Sequence, residues 1–132
     1  CRRVMDSLVK YCHDPGIWHK IEVRHRVAEL AIEIGVGKWI CYRAGWLLDQ
    51  GKPMDVESAI AKVYASDLMQ RVANEALRIY QLNGNAIKES PEAHKVVWLQ
   101  HLYMNCLART IGGGSDEMMR QVVAQWGLGL PK

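Results

Sequence analysis

The four cysteines of this chain, at positions 1, 12, 41 and 106, form no C-x-x-C pair and stand at no ligand-like spacing from a histidine. That absence excludes a zinc site of the usual kind and a disulfide framework, and leaves reduced thiols in a cytoplasmic protein as the plain reading. Proline is scarce, and each of the four sits at a boundary of a patterned segment. No apolar run is long enough to cross a bilayer: the most apolar window, residues 28–48, is interrupted by Glu29, Glu33, Lys38 and Arg43. Nothing resembles a secretory leader. Neither sign of charge dominates, since 17 Lys+Arg against 14 Asp+Glu leave a net charge of +3. The basic residues are scattered, which removes the electrostatic footprint of a nucleic-acid-binding protein. Phenylalanine is missing while tryptophan occurs five times, a bias for which the sequence pattern offers no reason.

What is present suits one soluble domain. At 132 residues with 49% hydrophobic and 23% charged side chains, there is enough apolar surface for a single core. The first residue is Cys1, and "CRRVMDSLVKYC" already reads as the middle or end of an amphipathic helix, so a fragment of a longer protein is expected. That short helix stops at "HDPG".

In "VRHRVAELAIEIGVGKWICYRAGWLLDQGKP", positions Val27, Leu30, Ile34, Gly37, Cys41, Ala44 and Leu48 recur at steps of three and four, predicting a helix of about seven to eight turns ended by Gly51 and Pro53. Asp55 offers an N-cap with Glu57 behind it. Ala59, Val63, Ser66, Gln70, Ala73, Leu77 and Tyr80 then mark a second long helix, closed by Asn83 and Gly84. Its seam is rich in small and polar residues, which suits close helix approach or a buried polar contact. Ser90-Pro91-Glu92 has the chemistry of a third helix start, and Val97, Met104, Ala108 and Ile111 fall on one face of that helix. A last helix begins at Ser115, carries Met119, Val122, Val123 and Trp126, and ends at "GLGLPK". No segment alternates with period two. The fold class is therefore all-α, an antiparallel up-and-down four-helix bundle with a short N-terminal helix remnant, occupying residues 1–132 as a single domain.

Few side chains point to chemistry. His94 and His101 share a helix face and His19 and His25 flank a helix start, but no carboxylate falls at the Glu-x-x-His spacing of a metal-binding bundle, so no metal is expected. Trp39, Tyr42 and Trp46 form an aromatic ridge lying off the seam of the first long helix, as expected of a helix buried on two sides by a further domain or subunit. "TIGGGSDE", residues 110–117, sets three glycines before a helix start. A turn followed by a serine cap is preferred there to an anion cradle, because Asp116 and Glu117 already bring negative charge to the helix N-terminus.

The last 23 residues, "TIGGGSDEMMRQVVAQWGLGLPK", resemble the C-terminal end of the acyl-CoA dehydrogenases. Ile111, Gly114, Ser115, Glu117, Arg120 and the tail Leu128-Gly129-Leu130-Pro131-Lys132 fall in register with that family's Gly-Thr/Ser-x-Glu-Ile-x-Arg helix and Leu-Gly-Leu-Pro-Arg/Lys ending. Upstream, "VRHRVAELAIEI" is similar to its Arg-x-x-Leu-Ala-x-Leu helix and "AIAKVYASDLMQRVANEALRIY" to its Ala-x-x-Lys-x-x-x-Ser-Glu helix.

The resemblance implies the C-terminal bundle of a flavoprotein oxidoreductase that holds FAD between a β domain and its helical bundles, acts on acyl-CoA thioesters and assembles as a homo-oligomer, a dimer or tetramer. In that family a carboxylate takes the substrate α-proton while the β-hydrogen leaves as hydride to the flavin. Gly114, Ser115 and Glu117 match positions beside bound FAD. The residue at the position of the catalytic carboxylate is Gly113, so no catalytic residue is assigned in this chain. Gln81 replaces the first glycine of the family's Ile-Leu-Gly-x-x-Gly turn while Gly84 is kept, and the family's Arg-x-x-Phe-Gly stretch is unrecognisable near "YCHDPG". Two rival readings are a non-catalytic subunit of a hetero-oligomeric acyl-CoA dehydrogenase and a free-standing helical interaction module.

Overall fold

Period-3.6 patterning accounts for the described α-helices. The computed structural model describes residues 1–13, 17, 19–80 and 93–131, the side chains of 93–96 excepted. Among these residues there are five α-helices and no strand: α1 (Arg2–Cys12), α2 (Ile21–Asp49), α3 (Asp55–Tyr80), α4 (Ala93–Arg109) and α5 (Asp116–Val122). One π-helical turn, Val123–Gly127, comes after α5. Helix ends obey the chemistry read from the sequence except at Asp55, which is the first helical residue and not the N-cap, since Ser58 N–H donates to the Met54 carbonyl. Gly51 takes φ +63° just past α2, where Gly51 N–H donates to the Leu48 carbonyl and Lys52 N–H to the Leu47 carbonyl. Asp55 and Glu57 both lie in the first turn of α3, facing the positive end of its dipole. The expected helix start at Ser90 to Glu92, the closing residues Gln81, Asn83 and Gly84, and Asp14 to Gly16 of "HDPG" lie outside the described residues.

The contact partners fix the topology. Along α2 the residues 33, 37 and 43 meet α3 residues 71, 64 and 57 respectively, so the two helices run antiparallel. Gly37 is what allows the approach, since a Cβ there would stand 3.1 Å from the Tyr64 ring. Tyr64 in turn donates its hydroxyl to the Glu33 carbonyl at 3.0 Å. α4 also runs antiparallel to α3: the Cys106 thiol donates to the Met69 carbonyl, and Lys62 reaches the Thr110 carbonyl beyond the α4 C-terminus. α5 continues along α3 in the same sense as α4, with Asp116 beside Ser66 and Gly127 beside Val56.

The bundle is thus all-α, as expected, with two refinements. The N-terminal "remnant" is a full member of the core: Val4, Met5, Leu8 and Cys12 are buried against Val27, Leu30, Leu68, Val72, Ala76, Ile79 and Leu99. The Tyr11 and Tyr80 rings stack with centroids 4.1 Å apart, and Tyr80 shares a hydrogen bond with the Ser7 hydroxyl. The α3 seam is only half of its buried surface, because Leu68, Val72, Ala76 and Ile79 are buried as well.

Two expected faces are corrected. On α4 the buried stripe is Leu99, Leu102 and Cys106, not Val97, Met104, Ala108 and Ile111; Met104 and Ile111 are exposed because α3 covers the opposite side. On α2 the seam holds as far as Ile34 and Gly37, but Cys41 and Leu48 are exposed and Leu47 is buried in their place. Trp126 is exposed on the terminal π turn.

Leu8→Ala is expected to cost about 2–5 kcal/mol, the range for emptying a fully buried leucine site, whereas Met104→Ala should stay within about 0.5 kcal/mol. Urea unfolding midpoints check both. Equal effects would contradict the assignment of these two faces.

Candidate functional site at the glycine turn

The turn between α4 and α5 is built by two positive-φ glycines and closed by one carbonyl. Ile111 and Gly112 donate their N–H groups to the Ala108 carbonyl, ending α4. Gly113 and Gly114 then adopt φ +74° and +98°, a region in which a side chain costs about 1–2 kcal/mol. The two positions differ in space: a Cβ on Gly113 would meet nothing within 4 Å, whereas one on Gly114 would lie 2.4 Å from Met119 Cε. Ser115 comes next in extended backbone and its Oγ accepts the Met118 N–H at 3.3 Å, capping α5. Asp116 N–H donates to the Thr110 carbonyl at 2.9 Å, which closes the turn. The N–H groups of Gly113, Gly114 and Ser115 have no acceptor among the described residues.

Beneath the turn lies a buried carboxylate. Asp116 is 4% exposed and is gripped entirely from α3. Ser66 Oγ lies 3.0 and 3.1 Å from its two oxygens, and Lys62 Nζ makes an ion pair with Oδ1. The same ammonium donates to the Thr110 carbonyl at 3.0 Å. Burial pushes the Asp116 carboxyl pKa upward. The hydrogen bonds from Lys62 and Ser66, with the charges of Lys62 and Arg120, outweigh it and hold the pKa below its ordinary value. Arg120 completes the grip of α5 on α3 with an exposed pair to Asp67 at 3.5 Å.

Two clefts meet at Lys62. One, of about 660 Å³, is lined by Lys62, Ser66, Met69, Leu102, Arg109 and Gly112. The other, of about 480 Å³, is lined by Met54, Ser58, Lys62, Gly113, Met119 and Trp126. The glycine turn forms the rim between them.

Of the residues singled out in the sequence, Gly113 and Gly114 are exposed on this rim, Ser115 is half-buried as the cap, and Glu117 is exposed in the first turn of α5. The Glu117 carboxyl is held below its usual range by its own backbone N–H and then by the Ser115 hydroxyl. Two ionised acids therefore already occupy this helix start, which agrees with the turn-and-cap reading. His19, His25 and His101 are exposed, and no group of three or more His, Cys, Asp or Glu able to hold a metal occurs among the described residues. No described helix is long and apolar enough to cross a membrane. The Lys62–Ser66–Asp116 cluster was not read from the sequence as a site. Its signals were the polar composition of the α3 seam and the Lys and Ser of the Ala-x-x-Lys-x-x-x-Ser-Glu motif.

A flavin ring presents a flat edge of hydrogen-bond acceptors. The turn fits such an edge: it has no side chain at 112–114 and three uncommitted N–H donors in succession.

The sequence model of the family described as "Acyl-CoA dehydrogenase, C-terminal domain" matches residues 1–128. The chain belongs to the acyl-CoA dehydrogenase family. Among curated relatives, this acyl-CoA dehydrogenase domain is 27% identical over 103 residues to the probable acyl-CoA dehydrogenase YngJ of Bacillus subtilis (strain 168), covering 78% of this chain and 25% of YngJ. It is 29% identical over 125 residues to the caffeyl-CoA reductase-Etf complex subunit CarC of Acetobacterium woodii, covering 91% of this chain and 31% of CarC. The chain thus spans a quarter to a third of these relatives. The same fold occurs in the solved structure of the Tcur3481-Tcur3483 steroid ACAD, with a TM-score of 0.90 and 22% identity, covering 98% of this chain and 34% of that one.

Asp116→Ala in the acyl-CoA dehydrogenase domain should cost about 1–3 kcal/mol by leaving the largely buried Lys62 ammonium without its carboxylate, although Lys62 keeps the Thr110 carbonyl and Ser66 the Lys62 and Val63 carbonyls. Because the folded pKa lies below the unfolded value of about 3.9, the Asp116 contribution is fully present above that value and is lost as pH falls through the folded pKa. Unfolding midpoints measured from about pH 6 to pH 2 should fall more steeply for wild type than for the Ala variant. Identical slopes would mean that Asp116 is not held ionised. Gly114→Ala should destabilise more than Gly113→Ala, which carries the φ penalty without the Met119 overlap.

Proposed function

We propose that this domain is part of an FAD-dependent acyl-CoA dehydrogenase-like enzyme that carries out α,β-dehydrogenation of an acyl-CoA thioester. The 110–117 turn is its share of the flavin site. The observation carrying this reading is the run of three uncommitted N–H donors at 113–115 on a rim without side chains. When bound, FAD supplies the acceptor for the hydride leaving the substrate β-carbon. Gly113 and Gly114 offer backbone to that ring at close range, and Ser115 and Glu117 are the adjacent polar contacts. Ser115 keeps its acceptor role toward Met118 N–H, leaving its hydroxyl proton to be shared between Glu117 and the cofactor.

Neither residue at the end of the glycine run offers a free carboxylate to the substrate α-proton. Gly113 has no side chain, and Asp116 is ionised but held by Lys62 and Ser66. No residue of this chain is assigned as the base. A second reading, a non-catalytic subunit of a hetero-oligomer, is favoured by the same Gly113 and by the naming of the relative CarC as a subunit of a larger complex.

Assembly rests on α2. Trp39, Tyr42 and Trp46 are 72%, 54% and 54% exposed, and Cys41 and Leu48 are exposed on the other side of the same half-helix. Such a surface is suited to burial between copies of the chain in a dimer or tetramer. The four unpaired thiols accord with a cytoplasmic location.

Full-length protein is expected to be yellow and to lose its flavin colour on adding an acyl-CoA substrate without oxygen, while the isolated domain is colourless. Gly113→Glu in the full-length protein should change the rate of flavin reduction in either direction. An unchanged rate places Gly113 away from the substrate and sinks the assignment of the turn. Trp46→Ala should weaken self-association by more than tenfold, since a central aromatic is worth about 2 kcal/mol or more at an interface. Sedimentation reads this, and a wild-type chain monomeric at high micromolar concentration would overturn it.

A further inference from the structure

We propose that Lys62 is the positioning residue of the glycine turn: its ammonium, tied to Asp116 and to the Thr110 carbonyl, sets where the N–H donors at 113–115 stand. Three observations carry this. Thr110 oxygen accepts from both Lys62 Nζ and Asp116 N–H, so one atom joins the first and last residues of the turn to α3. Asp116 Oδ1 accepts from the same ammonium, with Ser66 on both oxygens, so the end of the turn cannot move without breaking a buried pair. Lys62 also lines both clefts, with Gly112 on the wall of one and Gly113 on the wall of the other. The lysine is the shared wall on which the rim rests.

Electrostatics explains why a lysine suits this place. The turn's two anchors are a carboxylate and a carbonyl, both acceptors, and an ammonium supplies three donors from one atom. Without Lys62 the Thr110 carbonyl would keep one hydrogen bond, from Asp116 N–H, and would lose its tie to α3. With Lys62 in place, residues 110 and 116 are fixed to the same helix as Ser66, and the glycines between them inherit a defined path. Positive-φ residues without side-chain contacts have little else to hold them: Gly113 meets no neighbour at its Cβ position. The link from this turn to a flavin rests on the function proposed above, whereas the lock itself does not.

The test uses the full-length protein with Lys62→Met, Lys62→Arg and Asp116→Asn. Hydrogen exchange is read at the amides of Ile111, Gly112 and Asp116, which donate within the turn. Lys62→Met and Asp116→Asn should speed exchange at these amides by about tenfold or more, with the core amides of α1 and α2 unchanged, and Lys62→Arg should recover most of the protection. Unchanged exchange at the three amides overturns the proposal. So does an equal rise across all helices, which would make Lys62 a general stabiliser. The absorption spectrum of bound flavin, read on the same variants, separates the two claims. If the turn loosens and the flavin spectrum shifts, both stand; if the turn loosens and the spectrum matches wild type, Lys62 positions the turn and the placement of flavin beside it fails.

Discussion

Everything in this domain is arranged about α3, which must satisfy neighbours on several sides at once. It packs against α2, α4 and α5 and also meets α1. A helix so enclosed cannot keep a single apolar stripe, and α3 has none: Ala59, Ser66 and Ala73 are buried on one side, and Leu68, Val72, Ala76 and Ile79 on others. Alanines at 59, 73 and 76 let other helices come close, while the larger residues fill the space between α1 and α4. The polar residues between them reach outward to partners: Tyr64 and Arg71 to α2, Lys62, Ser66 and Asp67 to the turn and α5. The placement of the glycine turn is therefore inherited from α3 and not from the turn's own residues.

The ion pairs in the domain divide by what surrounds them. Arg26–Glu29 and Arg78–Glu75 are pairs on single helices with a solvated arginine, worth a few tenths of a kcal/mol. Lys62–Asp116 joins two helices and is largely withdrawn from water, with side-chain exposures of 19% and 5%. Withdrawing charges is costly, so such a pair adds little net stability, yet breaking it by removing one partner is expensive. Its effect is on register: α5 has only seven residues and few core contacts, and a buried carboxylate with specific partners allows one rotation of that helix and excludes others.

How much of this was legible depended on the range of the interaction. Local rules located the helices: Gly51 after α2, the acids at 55 and 57, and Ser115 as a cap are all set by neighbours within a few residues in sequence. The α4 face was misread because Leu99, Leu102 and Cys106 on one side, and Met104, Ala108 and Ile111 on the other, are both apolar; periodicity cannot choose between two such stripes when only one has a partner. Cys41 and Leu48 failed for a related reason, since past Gly37 the covered side of α2 runs through Ile40, Ala44 and Leu47, one position away from each of them. Of the site, the glycine turn and its cap were readable. The residues that hold it were not, because Lys62 and Ser66 look like ordinary helix positions until a carboxylate fifty residues away is folded against them. The family motif did include both, as the Lys and Ser of Ala-x-x-Lys-x-x-x-Ser-Glu, but a motif names residues without naming their partners.

The burial pattern of the thiols has a consequence for covalent chemistry. Cys12 and Cys106 are fully buried, and burial raises both thiol pKa values, so neither presents a thiolate to an incoming electrophile. Cys1 is half-buried, and Cys41 stands in solvent on the second half of α2. Thiol-directed reagents thus meet one exposed cysteine, on the longest helix, while the core thiols are withdrawn from them. Cys41 faces solvent on the second half of α2, so whatever packs there in an assembly also decides how that thiol weathers oxidation.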